Sequence, residues 1–197
     1  MTELTAINSE DHAKKVWKHV TDYTFAAEQT VIPLVGAELG KAALAMPTGF
    51  MKIDAGYQLV AITSLQPGTN LYVAPNGKWL VEYIPATLRG YPFQLAQQEG
   101  VGEFILCINE ASGLVMENTE DGNAFFDDQD QPTQGIKDIL DFLTQIKASR
   151  DGTEGAVNAL ADAGLITPWK INLKQGEKVV PVEGLYSVDE AALNKLD

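Results

Sequence analysis

Arg89 is the residue of this chain best placed to recognise something by charge. It sits in "YIPATLRGYPFQL", between two prolines, Pro85 and Pro92, and among three aromatics, Tyr83, Tyr91 and Phe93. A guanidinium held between Tyr83 and Tyr91 could clamp a carboxylate with two parallel hydrogen bonds, a geometry that its planar fork matches. The same group could instead pair inside the fold with Glu82, Asp127 or Asp189. Pro85 ends ladder pairing because it has no N–H to donate. Pro92 pushes Tyr91 toward an extended conformation. The segment should therefore leave a sheet, turn near Arg89-Gly90 and return extended.

Other chemistry is thinner. His12 and His19 fall seven apart in an expected helix, too few for a closed zinc site and best read as solvated. Cys107 lies inside the apolar run "FILCIN", where a thiol behaves as a small hydrophobe, and one cysteine cannot form an internal bridge. Asp127, Asp128 and Asp130 invite comparison with a calcium loop. Started at Asp127, however, the sixth position is Pro132, where the loop needs glycine, and the twelfth is Asp138. Only loose divalent binding by these three remains. "GVGEFI" opens a strand rather than a helix and is no dinucleotide loop, and there is no Walker lysine, nucleophile elbow or zincin motif. No cofactor is expected.

Charge narrows the partners. The chain carries 14 basic and 27 acidic residues, a net charge of −13. That argues against nucleic-acid phosphate as a partner, because binding there depends on Lys and Arg displacing counterions, and no nucleic acid is expected. Between Arg89 and Lys137 no basic residue occurs, while Glu99, Glu103, Glu110, Glu117, Glu120, Asp121, Asp127, Asp128 and Asp130 do. The plain reading is a solvated acidic face; the sharper one is a surface for a basic partner or a cation. No run reaches membrane-spanning length, and no signal-peptide pattern opens the chain, so no membrane insertion and a cytoplasmic location are the expectations.

The elements that must position these groups follow from periodicity and turn chemistry. Ser9 reads as the cap of a helix through "EDHAKKVWKHV", with Ala13, Trp17 and Val20 on one side. A second helix is expected over "PLVGAELGKAALAM", stopped before Pro47. "GFMKID", "YQLVAITSL", "NLYVA" and "KWLVEYI" read as strands, with Asn76-Gly77 as a type I′ hairpin turn. "EFILCINE" and "GLVME" read as a further hairpin. Thr133 should cap a helix whose Ile136, Ile139, Leu140, Leu143 and Ile146 recur at helical spacing. Asp151 and Glu154 should open another that Gly164 closes, giving a helical hairpin. "PWKINL" and "KVVPVEG" pair around "KQGE", and Ser187 with Glu190 opens a terminal helix. The expectation is one α+β domain over 1–197: a mainly antiparallel sheet (about 50–116 plus 168–183), a helical hairpin (about 134–164) and terminal helices.

"YIPATLRGYPFQL", the "FILCIN" strand, "AFFDDQDQPTQGIKDILDFL", "ALADAGLITPWKINL" and the closing "GLYSVDEAALNKL" resemble the SapC family. These are soluble bacterial proteins named for a surface-layer protein locus, and the resemblance runs from about Phe25 to Leu196. Gly184-Leu185-Tyr186 with Asp189-Glu190 is its most specific part, and the Arg89/Tyr91-Pro92-Phe93 cluster is second. The resemblance implies an accessory of surface-layer or outer-membrane systems and names no catalytic residue. The first expectation is a non-catalytic accessory protein that holds a protein partner. The second is a binding protein for a small anionic metabolite or peptide carboxylate, with Arg89, Tyr91, Phe93, Tyr186, Asp189 and Glu190 as candidate ligand residues. The third is an enzyme using carboxylates such as Asp127 and Asp189 as acid and base.

Overall fold

The computed structural model describes residues 4–97, 102, 104–117 and 121–195. Glu99, Glu103 and Glu120 of the acidic stretch, and Leu196, lie outside them. In chain order the strands are β1 (Leu4–Ala6), β2 (Lys15–Trp17), β3 (Val31–Pro33), β4 (Thr48–Ile53), β5 (Gly56–Ile62), β6 (Phe93–Gln97) and β7 (Phe104–Asn109). They continue with β8 (Val115–Glu117), β9 (Asn123–Ala124), β10 (Ile166–Pro168), β11 (Ile171–Gln175), β12 (Lys178–Val182) and β13 (Leu185–Val188). The helices are α1 (Ser9–His12), α2 (Leu39–Ala45), α3 (Ala86–Arg89), α4 (Gln134–Asp162) and α5 (Glu190–Leu193). All strand pairs are antiparallel, and the class is α+β, as the sequence implies. The chain divides into two compact units, Met1–Thr21 with Arg89–Lys147 and Asp22–Leu88 with Ala148–Asp197.

The first unit is built on aromatic packing. β7 lies between β1 and β6, and β2 lies between β8 and β9. Trp17, Phe93, Ile108, Phe125 and Ile136 are buried together, with Ile139 and Leu143 packed against them from α4. The Trp17 and Phe93 rings meet edge to face at 5.1 Å, the arrangement that aromatic quadrupoles favour. Ile136, Ile139 and Leu143 are the helical-period residues singled out above, so the stripe does face a core.

The second unit carries a five-stranded sheet in the order β10-β13-β4-β5-β3 and a separate two-stranded ribbon, β11-β12. β4 and β5 form the hairpin expected from "GFMKID" and "YQLVAITSL", with Ile53 opposite Gly56 at its turn. Val60, Ile62 and Leu185 are buried, and Leu65, Trp169, Ile171 and Val182 pack on them. Glu38, also buried, was not foreseen. Its Oε1 accepts hydrogen bonds from the Tyr83 hydroxyl and the Ala86 N–H, both at 2.6 Å, and its Oε2 accepts from the Val35 N–H at 3.1 Å. Three donors satisfy one desolvated carboxylate, so the "YIPA" bend is fixed by Glu38.

Several expectations fail for identifiable reasons. The helical hairpin is instead one helix, α4, running unbroken through Asp151-Gly152. No proline interrupts that stretch, and Thr153 donates its hydroxyl to the Ser149 carbonyl within the helix rather than capping a new one. The first helix stops at His12, capped by Asn8 and not by Ser9. Lys15–Trp17 then becomes a strand because two neighbouring strands and the aromatic core outweigh local helix preference. Of the second helix only Leu39–Ala45 is α-helical: Val31–Pro33 pairs with β5, and Gly36–Glu38 makes a 3₁₀ turn. "NLYVA" and "KWLVEYI" form no strands, and their β pairing is an isolated bridge, Val73 to Trp79. Gly77 alone of the Asn76-Gly77 pair has positive φ, so the turn is not type I′. β7 and β8 do not pair; they join β1 and β6, and β2, respectively. The expected single sheet is thus divided among several. The terminal helix is capped by Asp189, whose carboxylate accepts from the Ala192 N–H, while Ser187 lies in β13.

Candidate functional site

Strand β5 ends by feeding Ile62, Thr63, Ser64 and Leu65 into one wall of a pocket of about 440 Å³ in the second unit. Pro47, Leu71 and Tyr72 form a second wall, and Trp169 and Ile171 a third. The polar atoms of the first wall are already used. The Thr63 hydroxyl donates to the Gln29 carbonyl, and the Ser64 Oγ accepts from the Gln66 N–H at 2.9 Å. What faces the space is therefore aliphatic and aromatic. Leu71, among the residues that line the pocket, keeps 66% of its surface exposed.

The aromatic walls are held in place. Tyr72 stacks on Trp79 with ring centroids 5.9 Å apart and planes 23° from parallel. Trp79 is itself anchored by its indole N–H, which donates to the Tyr83 carbonyl at 2.9 Å. The Trp169 N–H donates to the Leu185 carbonyl at 2.9 Å, tying that wall to β13. Gly49 permits this approach: a Cβ there would lie 3.0 Å from the Tyr186 carbonyl oxygen and 3.2 Å from the Trp169 ring. The volume falls within the usual 300–1,000 Å³ of ligand pockets. A second apolar hollow of about 390 Å³ runs along α4 between Leu160, Leu39 and Phe50, without aromatic rims of this kind.

The residues expected from the sequence fall in both units. Arg89 is exposed at the end of α3, with its Cζ 5.1 Å from the centroid of the Phe142 ring, a cation–π contact. The Tyr83 hydroxyl is given to Glu38. Tyr91 is partly buried, and this burial pushes its hydroxyl pKa up, against the opposing hydrogen bond with Asn109. The Tyr91–Pro92 bond is cis. Phe93 belongs to the first unit's core, touching Trp17 rather than lining an opening. Arg89 falls in the first unit, and Tyr186, Asp189 and Glu190 fall in the second. There the Tyr186 ring meets that of Tyr57 edge-on at 4.9 Å, and Asp189 is spent on its cap.

Asp127 is likewise engaged. Asp127 Oδ1 accepts from the Gln131 and Gln129 N–H groups, both at 2.9 Å, and those bonds hold its pKa below the ordinary carboxylate value. Asp127, Asp128 and Asp130 are exposed, and among the described residues no three His, Cys, Asp or Glu side chains gather to hold a metal. His12 is wholly buried against Phe125 instead of solvated, and its Nε2 lies 3.2 Å from Glu110 Oε1, close in charge terms but without hydrogen-bond alignment. Lys15 donates to the same oxygen at 2.8 Å, which raises its pKa. Cys107 is buried in β7, and desolvation pushes its thiol up, as expected of a small hydrophobe.

Fold and site together define an α+β protein of several small antiparallel sheets with an apolar, aromatic-walled pocket. The chain belongs to the SapC family, whose model matches residues 7–197. No curated protein and no solved structure matches it significantly. None of the described helices is long and apolar enough to cross a membrane.

Proposed function

We propose that this protein is a non-catalytic interaction module whose pocket at Trp169 receives apolar side chains of a partner protein. The observation that carries the reading is the pocket itself, about 440 Å³ of space walled by Tyr72, Trp169 and Ile171 with the exposed Leu71 among its lining residues. Aromatic side chains supply contact area at little entropic cost and are enriched where proteins bind one another. Support also comes from the carboxylates. Glu38, Asp127 and Asp189 each accept hydrogen bonds from backbone N–H groups, so each has a structural job. An accessory role in surface-layer or outer-membrane systems, which the family resemblance implies, suits a module of this kind.

Calorimetric titration with a blocked octapeptide of alternating Leu and Ser, against an all-Ser control, tests the reading. The Leu-containing peptide should bind and release heat with a negative heat-capacity change, the mark of apolar burial. Leu71→Asp, at an exposed position that folding does not need, should abolish that signal. Equal behaviour of the two peptides, or full binding by the Leu71→Asp protein, overturns it.

A further inference from the structure

The ribbon beside the pocket has one blunted edge and one open edge. Its strands pair Ile171 with Val182, Asn172 with Pro181, Leu173 with Val180 and Lys174 with Val179. Gly176, with φ of 62°, takes the first position of the two-residue turn, where a type II′ hairpin needs glycine. Pro181 has no N–H, so the Asn172–Pro181 pair is the kind that exchanges no hydrogen bonds. Asn172 and Lys174 must then point their N–H and C=O groups away from β12. On the far side of β12, Pro181 removes a donor, the usual device for protecting an edge. β11 has no proline, and among the described strands none but β12 pairs with it.

The pocket meets the ribbon through Ile171 and through no residue of β12. A third hollow, about 470 Å³, is lined by Leu65 and Pro67, by Leu173 of β11 and by Val180, Pro181 and Val182 of β12. Ile171 and Leu173 share one face of β11, and Asn172 and Lys174 share the other, by the two-residue period of a strand. The charge is local and opposite to that of the chain. Lys170, Lys174 and Lys178 are all exposed here, against Glu177 at the turn and Glu183 past the ribbon, in a protein of net charge −13.

We infer that β11 takes an extended, acidic segment of another protein as a third strand of the ribbon. The segment alternates acidic residues, which lie beside Lys170 and Lys174, with apolar residues, which enter the pocket at Trp169. Main-chain hydrogen bonds to Asn172 and Lys174 give it register, and the alternate side chains give it selectivity. This rests on the pocket reading above and adds to it the chemistry and conformation of the partner.

The test compares blocked octapeptides of alternating Glu-Leu, Ser-Leu and Lys-Leu, with Glu-Leu also made N-methylated at every second amide. At low salt the Glu-Leu peptide should bind roughly tenfold more tightly than Ser-Leu, with Lys-Leu weakest, and the gap should close in high salt. Lys170→Glu with Lys174→Glu should reverse the order, and N-methylation should weaken Glu-Leu by a similar factor. Far-UV circular dichroism checks that the double variant is folded. Ser-Leu binding as well as Glu-Leu, or indifference to N-methylation, overturns this inference and leaves the pocket reading standing. No binding by any of them overturns both. Self-association of the protein that excludes the Glu-Leu peptide also overturns it, in favour of a second copy on this edge.

Discussion

Glu38 offers the sharpest test of how this fold is held. Replacement by alanine removes a carboxylate and strands three donors. The Val35 and Ala86 N–H groups are buried, and each unsatisfied buried donor costs about 1–3 kcal/mol. The Tyr83 hydroxyl is only half-buried and regains water, so its share is smaller. Relief of the desolvated charge offsets part of the loss. The net expectation for Glu38→Ala is roughly 2–5 kcal/mol, the range for removing one partner from a buried polar cluster. At a typical urea dependence of about 2 kcal/mol per molar, that moves the unfolding midpoint down by roughly 1–2 M. Tyr83→Phe, which deletes one of the three donors, should cost about 1–2 kcal/mol. Glu38→Gln should fall between, since its amide keeps one acceptor but presents N–H groups toward other donors. Equilibrium urea unfolding followed by tryptophan fluorescence reads all three. A Glu38→Ala protein within about 0.5 kcal/mol of the parent, the effect of an ordinary surface change, refutes the reasoning.

Three further outcomes are expected. Gly152→Ala should raise stability by up to about 1 kcal/mol, because the site is exposed mid-helix with open space for a Cβ; a loss would mean that α4 breaks there. Gly77→Ala should cost roughly 2–4 kcal/mol, since φ is 78° and the new Cβ would overlap the Asp22 carboxylate that binds the Thr24 N–H and hydroxyl. Asp127 has a folded-state pKa below its ordinary 3.8, so its ionisation stabilises the fold above that pH and the benefit is lost as pH falls through the lowered value. Melting temperatures of the parent and Asp127→Asn should therefore differ near neutrality and converge in acid, and a constant gap would contradict this.

The legible parts of the fold were those set by short-range chemistry. The β4–β5 hairpin, the ribbon around "KQGE" and the helix end at Gly164, where φ is 69°, all follow from turn residues beside apolar strands. The misread parts were decided at a distance. Lys15–Trp17 carries a helix-like context, yet β8 and β9 claim it from about 100 and 107 residues away. Asp151 and Glu154 resemble a capping box, but a box only competes with a helix; it does not end one without a break in the ladder. Phe93, expected as a candidate ligand residue, lies in a core, because an aromatic after proline can face a core or an opening and only Trp17 and Phe125 decide which. The pocket had no local signature at all. Its walls come from the neighbourhoods of Pro47, Ile62, Tyr72 and Trp169, which no spacing rule connects.

Fluorescence emission of the native protein, compared with Trp169→Phe, during titration with the alternating Glu-Leu peptide tests the central claim most directly. Filling the pocket should remove water from the half-buried Trp169 ring and give a saturable blue shift that is absent in Trp169→Phe. An unchanged spectrum, or an equal shift in the Trp169→Phe protein, would mean that the pocket does not receive the partner.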